Sequence, residues 1–261
     1  MIGRRGQSSP IHCFKVIASE EGLSHRWTYL GWLLVLSAFL LLTFFSVVAS
    51  WTFDYLIKSL SGNFNGLGPD SSNIMFNELK ANPLRLSLWH GLFMGITLLV
   101  VGRGIRGGIE KAIKFMMPTL FFLLLILAIY SLAAGDASAA LKFLFEPDFS
   151  KLTPHGVLLA VGQAMLSLSV GGAGMLVYGA YLNKDASIPR TSIVIAGVDT
   201  VVALLTGLII FPVVFAYGLE ASAGPGLIFV TLPIAFGQMP GGLFFGVLFF
   251  VLLFLAAQTS A

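Results

Sequence analysis

The stretch VGQAMLSLSVGGAGMLVYGAYL, residues 161–182, decides how this chain folds. It is apolar enough to lie in a bilayer, but its middle, residues 167–174, holds two serines and three glycines. A membrane-spanning segment has to satisfy its backbone hydrogen bonds internally, and glycine is a poor helix former. The pattern therefore predicts either a helix that is broken near its middle, as in transporters, or a continuous helix whose small residues let neighbouring helices approach closely. The stretch alone leaves both interpretations open.

The composition of the whole chain excludes an ordinary soluble domain. Of its 261 residues, 57% are hydrophobic and 10% are charged. Six segments are long and apolar enough to cross a membrane, namely residues 27–57, 86–101, 112–134, 156–182, 192–219 and 242–260. We therefore expect an all-α integral membrane fold with a single transmembrane domain over residues 1–261.

The distribution of charge indicates how the chain lies in the cell membrane. The net charge is +3, but the basic residues are scattered over short segments beside apolar runs, which fits the positive-inside rule better than nucleic-acid binding. Arg4 and Arg5 precede the first apolar run, and the densest basic cluster, residues 103–114, follows the second. We expect a cytoplasmic N terminus. The one cysteine, Cys13, excludes an intrachain disulfide.

Two further features concern the connections and the ends of the chain. Residues 220–241 contain too many glycines and prolines to span a membrane, and we expect them to form an external helical hairpin. The N terminus has no secretory signal, and the last apolar run stops directly after Gln258, Thr259 and Ser260. We therefore expect a chain that is truncated at both ends.

Three residues near the C terminus present oxygen atoms on one helical face. Ala256, Thr259 and Ser260 are spaced i, i+3 and i+4, so a carbonyl and two hydroxyls face the same way. Sodium is a hard cation that prefers oxygen ligands of this kind. The alternative is that both hydroxyls bond back to their own helix, and the spacing alone favours that alternative.

Several motifs resemble those of the sodium:neurotransmitter symporter family. They are IGRRGQSSP (2–10), GWLLVLSAFLLLTFFSVVASW (31–51), RGGIEKAIKFMMP (106–118), FEPDFSKLTP (145–154), VGQAMLSLSVGGAG (161–174) and LAAQTSA (255–261). The resemblance covers essentially the whole chain. It implies a partial inverted-repeat, leucine-transporter-like helical bundle with one broken helix, covering roughly the third to the eighth transmembrane helix. It also implies sodium-coupled symport of an amino acid or related small amine by alternating access.

The same resemblance assigns ion-binding roles to particular residues. Ser167 and Asp199 match the first sodium site of the family, and Ala256, Thr259 and Ser260 match the second. Asp199 stands where the family has an amide, and we expect its carboxylate to supply the negative charge that makes chloride unnecessary. The alternative is a carboxyl group that burial keeps neutral or that pairs with a loop cation. Tyr181 matches a tyrosine of the inner gate.

The substrate pocket implied by the resemblance is largely apolar. Its residues are Leu41, Phe45, Val48, Leu166, Ser167, Ser169, Gly172 and Ser260. Leu41, Phe45 and Val48 form one helical stripe, which by itself is more typical of ordinary packing. Phe45 stands where the family usually has a tyrosine that donates to the substrate carboxylate, and a missing hydrogen bond to a charged group costs about 1.5–3 kcal/mol. Gly172 replaces a bulkier residue, which enlarges the pocket.

Two alternatives to transport remain open at this point. The first is a truncated membrane chain that packs with partners but lacks transport of its own, which Phe45 favours. The second is an intramembrane enzyme, which is the weakest because the sequence offers no nucleophile with a base and no set of metal ligands. The partners we expect are the lipid bilayer and a small amino acid or amine, without nucleic acid, and a homodimer stays open.

Overall fold

The described part of the chain consists of helices arranged in two compact units. The computed structural model describes residues 1–170, 172–183, 185–221 and 224–261, so Gly171, predicted to lie in the break, is outside the described residues. Within that part there are no strands, which confirms the all-α class. The first unit comprises Met1–Thr43 and Pro147–Val202, and the second comprises Phe44–Glu146 and Ala203–Ala261.

The α-helices are numbered in chain order. They are α1 (Ile2–Gly6), α2 (Pro10–Glu20), α3 (Thr28–Leu60), α4 (Pro69–Ala81), α5 (Pro83–Val101), α6 (Glu110–Ala134), α7 (Ala137–Phe145), α8 (Pro154–Ser167), α9 (Ala173–Tyr181), α10 (Ile188–Ala216), α11 (Leu232–Gln238) and α12 (Gly242–Ser260). Short 3₁₀ turns lie at His25–Trp27 and Phe149–Lys151, and π-helical turns lie at Ile105–Ile109 and Leu227–Thr231.

Five helical segments of the described chain are long and apolar enough to cross a membrane. They are His25–Leu60, Pro83–Val101, Gly107–Ala134, Ile188–Ala216 and Gly242–Ser260. The remaining predicted segment, residues 156–182, is divided between α8 and α9. The interpretation as a broken helix is therefore confirmed, and the continuous helix is wrong.

Proline and a capping side chain fix where several helices begin. Proline lies in the first turn of α2, α4, α5 and α8, where its missing N–H group costs little. Thr153 caps α8, because its hydroxyl accepts a hydrogen bond from the N–H of Gly156 at 3.0 Å. Asn82 caps α5 in the same way through the N–H of Arg85, also at 3.0 Å. Such caps satisfy amides that no helical carbonyl can reach.

The connection before α12 differs from the predicted hairpin. Its described C-terminal part forms one continuous helical segment, the π-helical turn Leu227–Thr231 followed by α11, rather than two antiparallel helices. Pro233 does not break it, because the proline falls in the first turn of α11. The prediction of a hairpin failed because apolar burial keeps these residues in one helical segment, so the glycines and prolines do not divide it into two helices. All residues from Leu232 to Phe236 are buried.

An aromatic cluster forms much of the core of the second unit. The ring of Tyr55 on α3 lies 5.0 Å from that of Phe229 and 5.5 Å from that of Phe250 on α12. Phe236 on α11 contacts Phe249 at 5.3 Å. The five residues are at most 2% exposed. The cluster therefore joins α3, α11 and α12 through edge and tilted ring contacts.

Close backbone contact joins the end of α6 to α10 in the same unit. A Cβ atom at Gly135 would lie 2.5 Å from the carbonyl carbon of Pro212, so glycine is required there. The N–H of Asp136 donates to the carbonyl oxygen of Pro212 at 2.9 Å, and the buried hydroxyl of Ser131 donates to that of Ile209 at 2.7 Å. These bonds satisfy carbonyl groups around a proline inside an apolar helix.

A buried carboxylate near the end of α3 holds three neighbouring side chains together. Asp54 is fully buried, and its carboxylate pairs with the ammonium of Lys58 at 3.0 Å and with the guanidinium of Arg85 at 2.5 Å. The indole N–H of Trp89 donates to the same carboxylate at 3.1 Å. Lys58 is 8% exposed, so its charge depends on Asp54 for compensation.

Replacing Asp54 by leucine should therefore destabilise the protein strongly. The substitution leaves the ammonium of Lys58 buried without its carboxylate, and breaking a buried pair in this way costs about 3–5 kcal/mol. Thermal unfolding in detergent micelles measures the effect. Glu146→Ala is the matched control, because Glu146 pairs with Lys142 at 3.7 Å on the surface. Its effect should stay below about 1 kcal/mol. Equal melting temperatures for the two variants would contradict the prediction.

Candidate functional site

The break between α8 and α9, residues 168–172, has a defined hydrogen-bond pattern. The N–H of Val170 donates to the carbonyl of Met165 at 2.8 Å, and the N–H of Ser169 donates to that of Leu166 at 3.1 Å. The first bond spans five positions and the second spans three. Together they form a Schellman motif, which closes the C-terminal end of a helix. The motif thus closes the C-terminal end of α8 with its own backbone groups.

Ser169 occupies the left-handed position of this motif. Its φ angle is +52°, a conformation that glycine adopts freely and that is unfavourable for a residue with a Cβ atom. Gly172, three positions further along the chain, is the N-cap of α9. It has no side chain that could accept a hydrogen bond from the first amides of that helix. The chain thus turns at Ser169 and restarts at Ala173, which leaves amides of α9 directed towards the break.

A serine and an aspartate meet beside the break within the first unit. The hydroxyl oxygen of Ser167, the last residue of α8, lies 2.8 Å and 2.7 Å from the two carboxylate oxygens of Asp199 on α10. A serine has one hydroxyl proton, so it donates to one carboxylate oxygen at a time. The remaining lone pairs of three oxygen atoms are therefore available to a cation. The structure confirms that these two residues lie together.

The surroundings of Asp199 bear on one of the alternatives, a pairing with a loop cation. Asp199 is half-buried on α10 and Ser167 is exposed. In the part of the chain that the structure describes, no lysine or arginine forms an ion pair with Asp199. Asp199 lies within the long apolar helix α10, and the hydroxyl of Ser167 donates to its carboxylate.

The predicted oxygen face near the C terminus lies in the second unit and is formed. The carbonyl of Ala256 accepts hydrogen bonds from the hydroxyls of Thr259 at 2.8 Å and Ser260 at 3.0 Å. The alternative of back-bonding is thus also present in the structure. The two interpretations are compatible, because each hydroxyl uses its proton on Ala256 and keeps its lone pairs for a cation.

The three residues of the helical stripe on α3, Leu41, Phe45 and Val48, differ in how deeply they are buried. Leu41, in the first unit, is 48% exposed, whereas Phe45 and Val48, in the second, are half-buried. Phe45 packs against a buried cluster of Ala49, Phe93 and Ala257. Ordinary packing therefore accounts for the position of Phe45, and its ring lies beside the turn of α12 that carries the oxygen face.

The residues around the break are mostly open in the first unit. Leu166 is 58% exposed, and Ser169 is also exposed. A Cβ atom added to Gly172 would meet only the carbonyl oxygen of Ser169, at 3.6 Å, which is ordinary van der Waals contact. The space beside Gly172 is therefore larger than a single methyl group.

Contacts between α9 and the N-terminal segment are a feature that the sequence did not reveal. A Cβ atom at Gly3 would lie 2.0 Å from the carbonyl oxygen of Leu176, so α1 lies directly on the backbone of α9. The guanidinium of Arg4 donates to the carbonyl of Ala186 at 2.7 Å, just after α9. Tyr181, the predicted gate residue, is 68% exposed at the end of this helix.

The charge of the N-terminal segment is balanced locally. Arg5 pairs with Glu21 at 2.6 Å and with Glu20 at 3.0 Å. Hydrogen bonds to Glu21, and then to Glu20, raise the pKa of Arg5. These exposed pairs hold α1 to the end of α2, but pairs of this kind contribute little to stability.

Comparison with known proteins places these sites in a family context. The sequence pattern of the Sodium:neurotransmitter symporter family matches residues 73–261. An uncharacterized sodium-dependent transporter of Bacillus subtilis, YhdH, is 39% identical over 261 residues, which is 100% of this chain and 57% of the relative. An uncharacterized sodium-dependent transporter of Haemophilus influenzae is 33% identical over 267 residues, which is 100% of this chain and 58% of the relative.

A solved structure has the same fold. The crystal structure of MhsT in complex with L-phenylalanine superimposes with a TM-score of 0.85 at 40% identity, over 99% of this chain and 58% of the MhsT chain. This likeness supports the leucine-transporter-like bundle with one broken helix. The chain spans slightly under three fifths of the length of these relatives.

The left-handed residue of the break gives a direct test of the motif. Ser169→Val should lower stability by about 1–3 kcal/mol, because a β-branched side chain is strained at a φ angle of +52°. Ser169→Gly, the matched control, should be tolerated, because glycine adopts this conformation without strain. Thermal unfolding of the two variants in detergent checks the result. If valine were tolerated as well as glycine, the left-handed turn would be wrong.

Proposed function

The chain belongs to the sodium:neurotransmitter symporter family, and on this basis we propose that it acts in sodium-coupled symport of an amino acid or related small amine. The observation that carries the proposal is the contact between Ser167 and Asp199, at 2.7–2.8 Å, beside the break. It brings an anionic carboxylate and a hydroxyl together in an apolar surrounding, which is the chemistry a sodium ion requires.

Two groups of oxygen atoms are the proposed sodium ligands. Ser167 and Asp199 contribute to the first site, and Ala256, Thr259 and Ser260 to the second. The first group carries a negative charge, and the second consists of neutral carbonyl and hydroxyl oxygens. A charged ligand offsets more of the cost of removing sodium from water, so the first site has the larger electrostatic contribution. We propose that Asp199 replaces chloride in this role.

The proposed substrate is an amino acid with a large apolar side chain. The L-phenylalanine in the complex with MhsT supports this class, and the free space beside Gly172 agrees with it. The substrate carboxylate would lie at the N-terminal amides of α9, where the partial positive charge of a helix favours an anion.

In this proposal the sodium gradient drives uptake by alternating access. Sodium binds first and favours the outward-facing state, and substrate then completes the first sodium shell. Rearrangement of the helices releases both inside the cell. Tyr181, at the end of α9, would belong to the inner gate, with the N terminus on the cytoplasmic side. The activity is transport without a chemical step, so no catalytic residue is assigned.

The family and the apolar helices support a multi-pass membrane protein. We further propose that residues 1–261 lie in one transmembrane domain of the cell membrane, with lipid and the small substrate as partners. The second candidate function is a membrane polypeptide without transport of its own. The packed position of Phe45 favours it, since that residue serves the core instead of the substrate.

Replacing Asp199 by asparagine tests the assignment of charge. The substitution keeps the shape but removes the carboxylate, so sodium-dependent amino-acid uptake in chloride-free medium should fall at least about tenfold, equivalent to 1.4 kcal/mol. Uptake into proteoliposomes, with gluconate in place of chloride, measures the change. Added chloride should restore part of the activity, because a bound chloride ion then balances the positive charge of the sodium ion.

Asp185→Asn is the control, because Asp185 is an exposed residue between α9 and α10 and should leave uptake unchanged. Full activity of the Asp199→Asn variant without chloride would refute the role of Asp199. Absence of sodium-dependent uptake by the unaltered protein would favour the second candidate function.

A further inference from the structure

A side-chain amide joins α12 to α5 inside the second unit. The amide nitrogen of Gln258 donates to the carbonyl oxygen of Phe93 at 3.3 Å. The hydroxyl of Thr97 lies 3.1 Å from the amide oxygen of Gln258 and 3.0 Å from the same carbonyl of Phe93. Phe93 is fully buried and Thr97 is 8% exposed. The three residues therefore form a closed polar triangle between two apolar helices.

Gln258 lies on the same turn of α12 as the oxygen face but on its opposite side. Successive residues of an α-helix are rotated by about 100°, so Gln258 is about 200° from Ala256 around the helix axis. Thr259 and Ser260 lie on either side of Ala256 by the same rule. One turn of α12 thus presents the proposed sodium ligands in one direction and an anchor in the other.

Apolar contacts surround this anchor without fixing the rotation of the helix. The ring of Phe254, one turn before Gln258, lies 6.5 Å from that of Phe93. Ala257, which directly precedes Gln258, belongs to the buried cluster with Ala49 and Phe93. Apolar burial is non-directional, whereas hydrogen bonds require particular distances and angles. Among these contacts, the amide bonds are therefore the ones that define how α12 is turned relative to α5.

We propose that Gln258 is a positioning residue for sodium binding, with Thr97 as its partner. It acts through the oxygen atoms of Ala256, Thr259 and Ser260 by holding their turn at one rotation. This inference rests on the proposed function, because it assumes that the oxygen face binds sodium.

Equilibrium binding of radioactive sodium to the purified protein in lipid nanodiscs tests the inference. Gln258→Leu removes both amide bonds, while the carbonyl of Phe93 keeps the hydroxyl of Thr97 as a donor. The half-saturating sodium concentration should rise about tenfold, with the number of binding sites per protein unchanged. A purely structural role would instead reduce the number of sites without changing the affinity.

Substitutions of the partner provide the matched controls. Thr97→Val should raise the half-saturating concentration about threefold, and Thr97→Ser, which keeps the hydroxyl, should retain the original affinity. Thr119→Val should also have no effect, because Thr119 makes the same bond within its helix, to the carbonyl of Phe115 at 2.8 Å on α6. If Gln258→Leu does not fold, the comparison of Thr97→Val with Thr97→Ser decides.

Each outcome has a definite meaning. Loss of affinity in Thr97→Val and in a folded Gln258→Leu variant, but not in the two controls, supports the positioning role. Unaltered affinity in a folded Gln258→Leu variant overturns it and leaves the proposed function intact, as does equal affinity of the two Thr97 variants. Absence of saturable sodium binding by the unaltered protein overturns both the positioning role and the proposed function.

Discussion

The constraint on which this structure depends is that an interrupted helix in apolar surroundings has to satisfy its own backbone. The break after α8 does so with two amide bonds, from Ser169 and Val170, to carbonyls of the preceding turn. The end of α8 is thus closed by its own backbone, and the side chains of Ser167 and Asp199 meet directly beside it. The fold of the break thus determines which atoms are available for a ligand.

The same requirement explains several other polar side chains of the apolar helices. Asp54 is paired with cations, Gln258 with Thr97, and the hydroxyls of Thr259 and Ser260 with a carbonyl of their own helix. A polar group without such a partner would be costly in this environment. Pairing satisfies the donors in each case, and the oxygen atoms keep lone pairs that a cation can use.

The sequence was sufficient for the apolar segments and the position of the break, because each depends on local composition and spacing. The contact of Ser167 with Asp199 needed the family resemblance, because 32 positions separate them in the chain. That α11 continues directly from the π-helical turn, instead of forming one arm of a hairpin, could not be predicted, since burial overrides Pro233 and Gly237. The roles of Gly3 and Gln258 depend on which helices become neighbours, which spacing along one segment does not determine.

The most direct test of sodium-coupled substrate recognition is binding of a mixed pool of radiolabelled amino acids to the purified protein. The measurement is made in sodium and repeated with potassium at the same ionic strength, because potassium carries the same charge but differs in size. We predict saturable binding in sodium that is absent in potassium. Equal binding in the two salts, or no binding in either, would contradict the assignment of the sites at Asp199 and Ser260.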